Sequence, residues 1–140
     1  MNFKDRIILK LQEMNRYLRD LEELLPEDKK IYLMNLMQRR ACEKTIELAI
    51  EAVIDIVAMI VSYEKLGVPE SEDDLINFLA KKTILTQRVR NTIPKMKGFR
   101  NILVHKYGEI DNGLVYMFLS EKLDDFYEFE KEIKRYLQRN

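Results

Sequence analysis

The chain has 140 residues, of which 46% are hydrophobic and 34% charged, with only four glycines and three prolines. This length is typical of one domain that buries a core without disulfides, and the composition is typical of an all-helical fold. Basic and acidic residues balance at a formal net charge of zero, which excludes a polycation that binds nucleic acid through its overall charge. We therefore predict a single all-α domain over residues 1–140.

The low counts of cysteine and histidine exclude several classes of site. Cys42 is the only cysteine and His105 the only histidine, so an internal disulfide or a structural zinc site within one chain is not expected. We predict no metal and no cofactor. The first residues lack the apolar segment of a signal peptide. The apolar stretch Leu48–Val61 is interrupted by Glu51 and Asp55, which favours a buried helix over a membrane span and the cytoplasm as the location.

Apolar residues recur at steps of three and four along most of the chain, the spacing of amphipathic helices. We predict five helices, over residues 2–25, 29–66, 71–83, 86–106 and 114–139. Pro26 ends the first, Asp28 is a candidate N-cap of the second, Gly67 is its candidate C-cap, and Ser71 begins the third. Short connections predict an up-down bundle, and the long apolar second and fifth helices indicate an oligomer. Pro94 removes an internal hydrogen bond and predicts a bend or boundary in the fourth helix near Gly98.

The charges are sorted along the chain. No Asp or Glu lies between Leu75 and Gly108, whereas this stretch holds eight Lys and Arg residues. The block either attracts phosphates locally or is a solvated face that pairs with the acidic C-terminal helix, and the sequence leaves both readings open.

Four carboxylates form a row at steps of four: Glu43, Glu47, Glu51 and Asp55. We predict that Glu43 and Glu47 lie on a solvated face. Asp55 stands between two isoleucines, so we expect it to be partly buried and to need a partner such as Arg100.

The segment Gly98–Tyr107 reads GFRNILVHKY. Within about two helical turns it collects a guanidinium, an amide, an imidazole and a phenol, from Arg100, Asn101, His105 and Tyr107. These groups suit a site that handles phosphate. Each also has a structural interpretation: an ion pair of Arg100 with an acid of the second helix, helix-end contacts for Asn101 and His105, and an aromatic that closes the bundle for Tyr107.

Several segments together resemble HEPN-domain proteins of the HepT type, the toxin half of a toxin–antitoxin pair whose antitoxin is a minimal nucleotidyltransferase. The family signature is Arg, four residues, His, one residue, Tyr, and it falls on Arg100, His105 and Tyr107. The matching segments are Leu66–Ser71, Gly98–Asn101, Leu103–Tyr107 and Ile110–Asp111. The chain departs from relatives at Ala58 and Met59, where polar residues are common.

The resemblance implies a HEPN-like bundle that forms a homodimer, with the two signature segments facing each other across the cleft. It implies a metal-independent endoribonuclease that its antitoxin silences by transferring AMP to Tyr107. RNA cleavage without metal needs a base and an acid, and a two-fold dimer supplies two copies of His105. Arg100 would hold the phosphate, Asn101 would orient the imidazole or phosphate, and Asp55 would orient Arg100. Two lysines would contact RNA: Lys97 and Lys106.

Two other functions remain open at this point. One is a non-catalytic HEPN module that positions a nucleotidyltransferase or a nucleotide, which the near-neutral charge and the Ala58–Met59 departure favour. The other is a helical oligomerisation domain, which leaves the signature without a role.

Overall fold

The computed structural model describes residues 1–105, apart from the side chain of His105, and residues 109–139. Over these ranges the protein is all-helical, as predicted, and contains no strand. The helices are α1 (Phe3–Leu24), α2 (Lys29–Met34), α3 (Leu36–Tyr63), α4 (Glu72–Leu79), α5 (Gln87–Arg90), α6 (Thr92–His105), α7 (Asn112–Glu121) and α8 (Asp124–Arg139).

Helix α3 is the centre of the fold. α1 packs along it, and α2, α4, α6 and α7 also contact it. Burying one stripe of α1 against α3 places five α1 side chains in the core: Ile7, Leu11, Met14, Leu18 and Leu21. Each such side chain contributes about 1.5–3 kcal/mol when fully buried. The contact between α3 and α6 holds the signature helix against this core.

Side-chain caps set several helix starts. Asp28 accepts a hydrogen bond from the Lys30 N–H, and Ser71 caps α4 through the Asp74 N–H, so both predicted caps are confirmed. The predicted second helix is split at Asn35, whose side chain accepts from the Gln38 N–H and starts α3. An asparagine cap competes locally with helix continuation, although neither Pro nor Gly marks the break.

The bend that Pro94 was expected to cause near Gly98 is absent. The helix is interrupted upstream instead, at Asn91 between α5 and α6, and α6 then runs from Thr92 across Gly98 without interruption. Pro94 is the third residue of α6, where a backbone N–H has no intrahelical acceptor, so its absence costs no internal bond. In a continuous helix the proline ring would collide with the carbonyl of Arg90, which places the break upstream.

The end of α3 also differs from the prediction. Lys65 adopts φ 53°, and the Leu66 N–H donates to the Val61 carbonyl at 3.0 Å. Lys65, not Gly67, is therefore the left-handed residue that ends the helix. Gly67 is needed for another reason: at φ +154° a Cβ would lie 2.8 Å from the Phe78 ring.

The predicted last helix is two helices that break at Lys122 and Leu123. α8 is fixed to the core by Phe126, Phe129 and Ile133. Buried Glu132 accepts hydrogen bonds from the N–H of Thr86 at 2.7 Å and from its hydroxyl at 2.9 Å. α8 thus satisfies the start of α5, just ahead of the signature helix.

Glu64 links three parts of the bundle and makes stability depend on pH. Its carboxylate accepts from Lys82 Nζ at 2.6 Å and from Tyr136 Oη at 2.9 Å, and these bonds lower the pKa of Glu64. Because the pKa of Glu64 is lower in the folded state, the ionised carboxylate stabilises the fold at pH values above its unfolded-state pKa, near 4.3. This stabilisation is lost as the pH falls through the folded-state pKa.

We expect Glu64→Gln to reduce the free energy of unfolding by about 1 kcal/mol at neutral pH. The reduction should shrink in denaturant titrations below about pH 4. Glu23→Gln, at an exposed site, is the control; equal effects of the two would contradict the prediction.

Candidate functional site

Arg100 is held by a carboxylate of the neighbouring helix. Its Nη1 donates to Glu72 Oε2 at 3.1 Å, and its Nη2 donates to Glu72 Oε1 at 2.5 Å. The arginine side chain is only 14% exposed. The hydrogen bonds to Glu72 raise the pKa of Arg100, so the guanidinium stays charged. A bidentate, mostly buried pair of this kind fixes the plane of the guanidinium.

The same guanidinium contacts the next residue in the chain, Asn101. Arg100 Nη2 also donates to Asn101 Oδ1 at 3.1 Å. A guanidinium carries five N–H donors, and the Nε–H of Arg100 donates no hydrogen bond to another described residue. Arg100 can therefore bind Glu72 and Asn101 and still present a donor to a phosphate oxygen.

The packing of α4 against α6 places Glu72 beside Arg100. α4 begins with three acids, Glu72, Asp73 and Asp74, which are favourable at the positive end of a helix. α4 packs against α6, so this acidic turn faces the basic residues of α6. Lys97, one turn before Arg100, pairs with Asp73 at 2.7 Å. The predicted RNA contact of Lys97 would therefore compete with an existing ion pair.

The prediction for the carboxylate row is wrong. Asp55 is the exposed member, with 54% of its side chain accessible, and it pairs with Lys10 at 3.3 Å instead of Arg100. Glu43 and Glu47 are the shielded members, 11% and 19% exposed. Residues four apart drift by about 40° around a helix, so a row that starts inward at Glu43 has turned to solvent by Asp55.

The middle members of this row, Glu47 and Glu51, act on Arg100. The charges of Glu51 and Glu47 add to the effect of Glu72 in raising the pKa of Arg100. Arg100 therefore lies in a locally acidic environment, and Glu72, which the sequence reasoning missed, takes the orienting role predicted for Asp55. The run of acids at the start of α4 was the available signal, because it stands opposite two cations spaced three residues apart.

Three residues with predicted roles, two of them signature residues, lie partly or wholly outside the described residues. The backbone of His105 ends α6, but its side chain is outside the description, as are Lys106 and Tyr107. The roles predicted for these three residues stay predictions. Arg100 and Asn101 are the predicted site residues whose contact with each other the structure does describe.

The basic block pairs with several elements. Lys82 binds Glu64, Lys97 binds Asp73 and Arg100 binds Glu72, whereas Arg88 is the one member of the block within residues 75–105 that reaches an acid of α8, Glu128 at 3.3 Å. Pairing with the C-terminal helix thus accounts for a small part of the block.

Among residues 1–104 and 109–139, no group of three or more acids, cysteines or histidines is placed to hold a metal ion. In the same part of the chain, no helix combines the length and the apolar character that crossing a membrane requires.

Comparison with known proteins identifies the relatives. The sequence model of the family described as "Ribonuclease HepT-like" matches residues 14–133. The "mRNA nuclease HepT" of Shewanella oneidensis is 38% identical over 84 residues, which span 60% of this chain and 63% of that protein. The "tRNA nuclease HepT" of Aphanizomenon flos-aquae is 31% identical over 128 residues, 91% of this chain and 87% of that protein.

A solved structure gives the same assignment. It holds the tri-AMPylated Shewanella oneidensis HEPN toxin in complex with an MNT antitoxin. This chain matches the toxin fold with a TM-score of 0.86 at 30% identity, covering 96% of this chain and 99% of that one. The predicted HEPN fold is thereby confirmed.

Proposed function

Because the chain belongs to the ribonuclease HepT-like family, we propose that it is the toxin of a toxin–antitoxin pair and cleaves RNA without a metal ion. Relatives named as mRNA and tRNA nucleases support the ribonuclease class, and the toxin–antitoxin complex among the similar structures supports the toxin role. The observation that carries the proposal is Arg100. Its guanidinium is fixed by Glu72 and Asn101 yet keeps an open donor, five residues before the only histidine.

The proposed reaction is transesterification within the RNA. One His105 takes the proton of a ribose 2′-OH, and the 2′-oxygen forms a bond to the adjacent phosphorus. The bond from phosphorus to the 5′-oxygen breaks, and the His105 of a second subunit gives its proton to that oxygen. The products are a 2′,3′-cyclic phosphate and a 5′-OH end. Arg100 stabilises the charge on the phosphoryl oxygens, where a preorganised cation is most effective.

Two copies of the chain are required by this chemistry. The reaction needs a base and an acid at once, and each chain supplies one histidine. A two-fold dimer packs the same surface of both subunits together, so it can bring two His105 residues into one site. The proposed toxin is therefore a homodimer with a composite site.

A minimal nucleotidyltransferase is the proposed antitoxin. It would transfer AMP from a nucleoside triphosphate to the Tyr107 hydroxyl and release pyrophosphate. The added phosphate is negatively charged and would occupy the position of the RNA phosphate near Arg100. The AMPylated state and antitoxin partner of the similar toxin structure support this form of regulation.

A non-catalytic HEPN module is the second candidate, and one observation favours it. Glu72, Glu51 and Glu47 surround Arg100 with negative charge, which weakens its attraction for phosphate. Such a module would bind its nucleotidyltransferase without cutting RNA.

Expression of the chain alone tests the proposal. We expect growth arrest with fragmented RNA, and rescue when an MNT-type nucleotidyltransferase is coexpressed. Tyr107→Phe should remain active but gain no AMP, because it lacks the acceptor hydroxyl; intact-mass spectrometry reports the modification. Tyr63→Phe, which removes another exposed tyrosine hydroxyl, is the control and should still be modified and silenced. Intact RNA on expression of the wild type would favour the non-catalytic module.

A further inference from the structure

A second surface of α6 forms a groove that the proposed chemistry does not use. It lies between α5–α6 and the α7–α8 junction and has a volume of about 560 Å³. Lys95, Gly98 and Ile102 line it from α6. Arg100, by contrast, pairs with α4, on another side of the helix.

The groove has an aromatic wall. Phe99 and Phe118 both line it, and their rings stack with centroids 3.9 Å apart and planes 6° from parallel. Ile102 beside them is 42% exposed. The outer side of this stacked pair gives the groove an aromatic surface against which a nucleobase could pack without sequence preference.

Cations line the groove beside this aromatic wall. Arg88, Lys95 and Lys122 line it together with one acid, Asp125. Arg88 is bound to Glu128 at 3.3 Å. The side chains of Lys95 and Lys122 form no ion pair or hydrogen bond with any residue in the described ranges, so their ammonium groups remain available to an anion.

Gly98 lies on an open part of the groove. A Cβ at this position would meet no atom within 4 Å. The groove residues Lys95, Gly98 and Ile102 follow steps of three and four along α6, and the next step of three reaches the backbone position of His105. Positions so spaced share one stripe of a helix, so the groove runs toward the signature segment.

We propose that this groove binds a single strand of the substrate RNA, with Lys95 and Lys122 on phosphates and a base against the Phe99–Phe118 wall. The inference rests on the proposed function for the identity of the strand as substrate. Cations beside aromatic surface form the general platform for single-stranded nucleic acid. The groove would then bind the RNA strand next to the phosphodiester bond that the HepT-like site is proposed to cleave.

Binding of a fluorescently labelled oligouridylate to the 140-residue His105→Ala chain, followed by anisotropy, is the first measurement. Lys95→Gln/Lys122→Gln should weaken binding by about tenfold and reduce the slope of log affinity against log salt by about 1.4, the value for two lost single-strand phosphate contacts. Lys4→Gln/Lys131→Gln removes the same charge at exposed sites outside the groove and should change the slope little. Gly98→Phe should block the groove, whereas Gly98→Ala should bind normally.

Three results would overturn the inference: groove variants that bind like the Lys4/Lys131 control, groove variants that convert a dimer into a monomer in light scattering, or a strand that binds no tighter than uridine monophosphate. The second would make the groove an interface between two copies of the chain, and the third would make it a mononucleotide site.

Cleavage of RNA by the wild type is measured separately. If the wild type cuts RNA and the groove variants keep its KM, only the groove inference fails; if the wild type cuts nothing but strand binding depends on the groove, only the ribonuclease proposal fails.

Discussion

His105→Ala is expected to lower RNA cleavage by about 10²–10⁴-fold, the range for loss of a general acid or base, and to abolish growth arrest. Imidazole is the side chain whose unperturbed pKa lies nearest neutrality, and the chain has no second histidine to replace it. Because a symmetric dimer would lose base and acid together, the loss should approach the upper end of that range. The measurement is the initial rate of cleavage of a labelled RNA, with thermal unfolding to verify the fold.

Mixed dimers sharpen this prediction. A wild-type chain paired with His105→Ala retains one imidazole per composite site. If the two histidines act as base and acid, the mixed dimer should be nearly inactive. Retention of half the wild-type rate would show that one histidine suffices, and full activity of the homodimeric variant would remove His105 from the mechanism.

Much of the helical pattern could be predicted because it is encoded locally. Periodic apolar residues located the helices, and short polar side chains such as Asp28 and Ser71 located starts. The breaks at Asn35 and Lys122 were missed because neither Pro nor Gly marks them. They depend on a side-chain cap and on the separate packing of α7 and α8, which no local signal specifies.

The site was predictable in composition but not in its contacts. Neighbouring Arg100 and Asn101 do share a hydrogen bond. The partner of Arg100 was assigned to the wrong helix, because a row at four-residue spacing does not stay on one face. Glu72 lies 28 residues away in sequence, and only the packing of α4 against α6 brings it to the arginine. Long-range packing of this kind is not readable from periodicity.

Glu72 gives the arginine two opposing influences. It aligns the guanidinium through two hydrogen bonds, which would preorganise the proposed phosphate contact. It also places a negative charge beside the donor proposed to meet the phosphate, and this charge would repel an RNA substrate. The balance between alignment and repulsion should appear as separate effects on kcat and KM.

Arg100→Lys is expected to lower kcat/KM by about 10²–10³-fold, the loss found when one donor to a developing oxyanion is removed. Lysine keeps the charge but not the planar fork, so its three donors cannot replace the two hydrogen bonds to Glu72, the one to Asn101 and a contact with a phosphate oxygen. Glu72→Gln should lower both kcat and KM, because alignment weakens while repulsion of RNA is relieved. Glu70→Gln, an exposed acid of the same turn, is the control and should leave both constants unchanged. Steady-state cleavage kinetics decide the matter: an Arg100→Lys enzyme with wild-type kcat would mean that charge alone suffices, and an unchanged kcat in Glu72→Gln would mean that the carboxylate serves only the packing of α4 on α6.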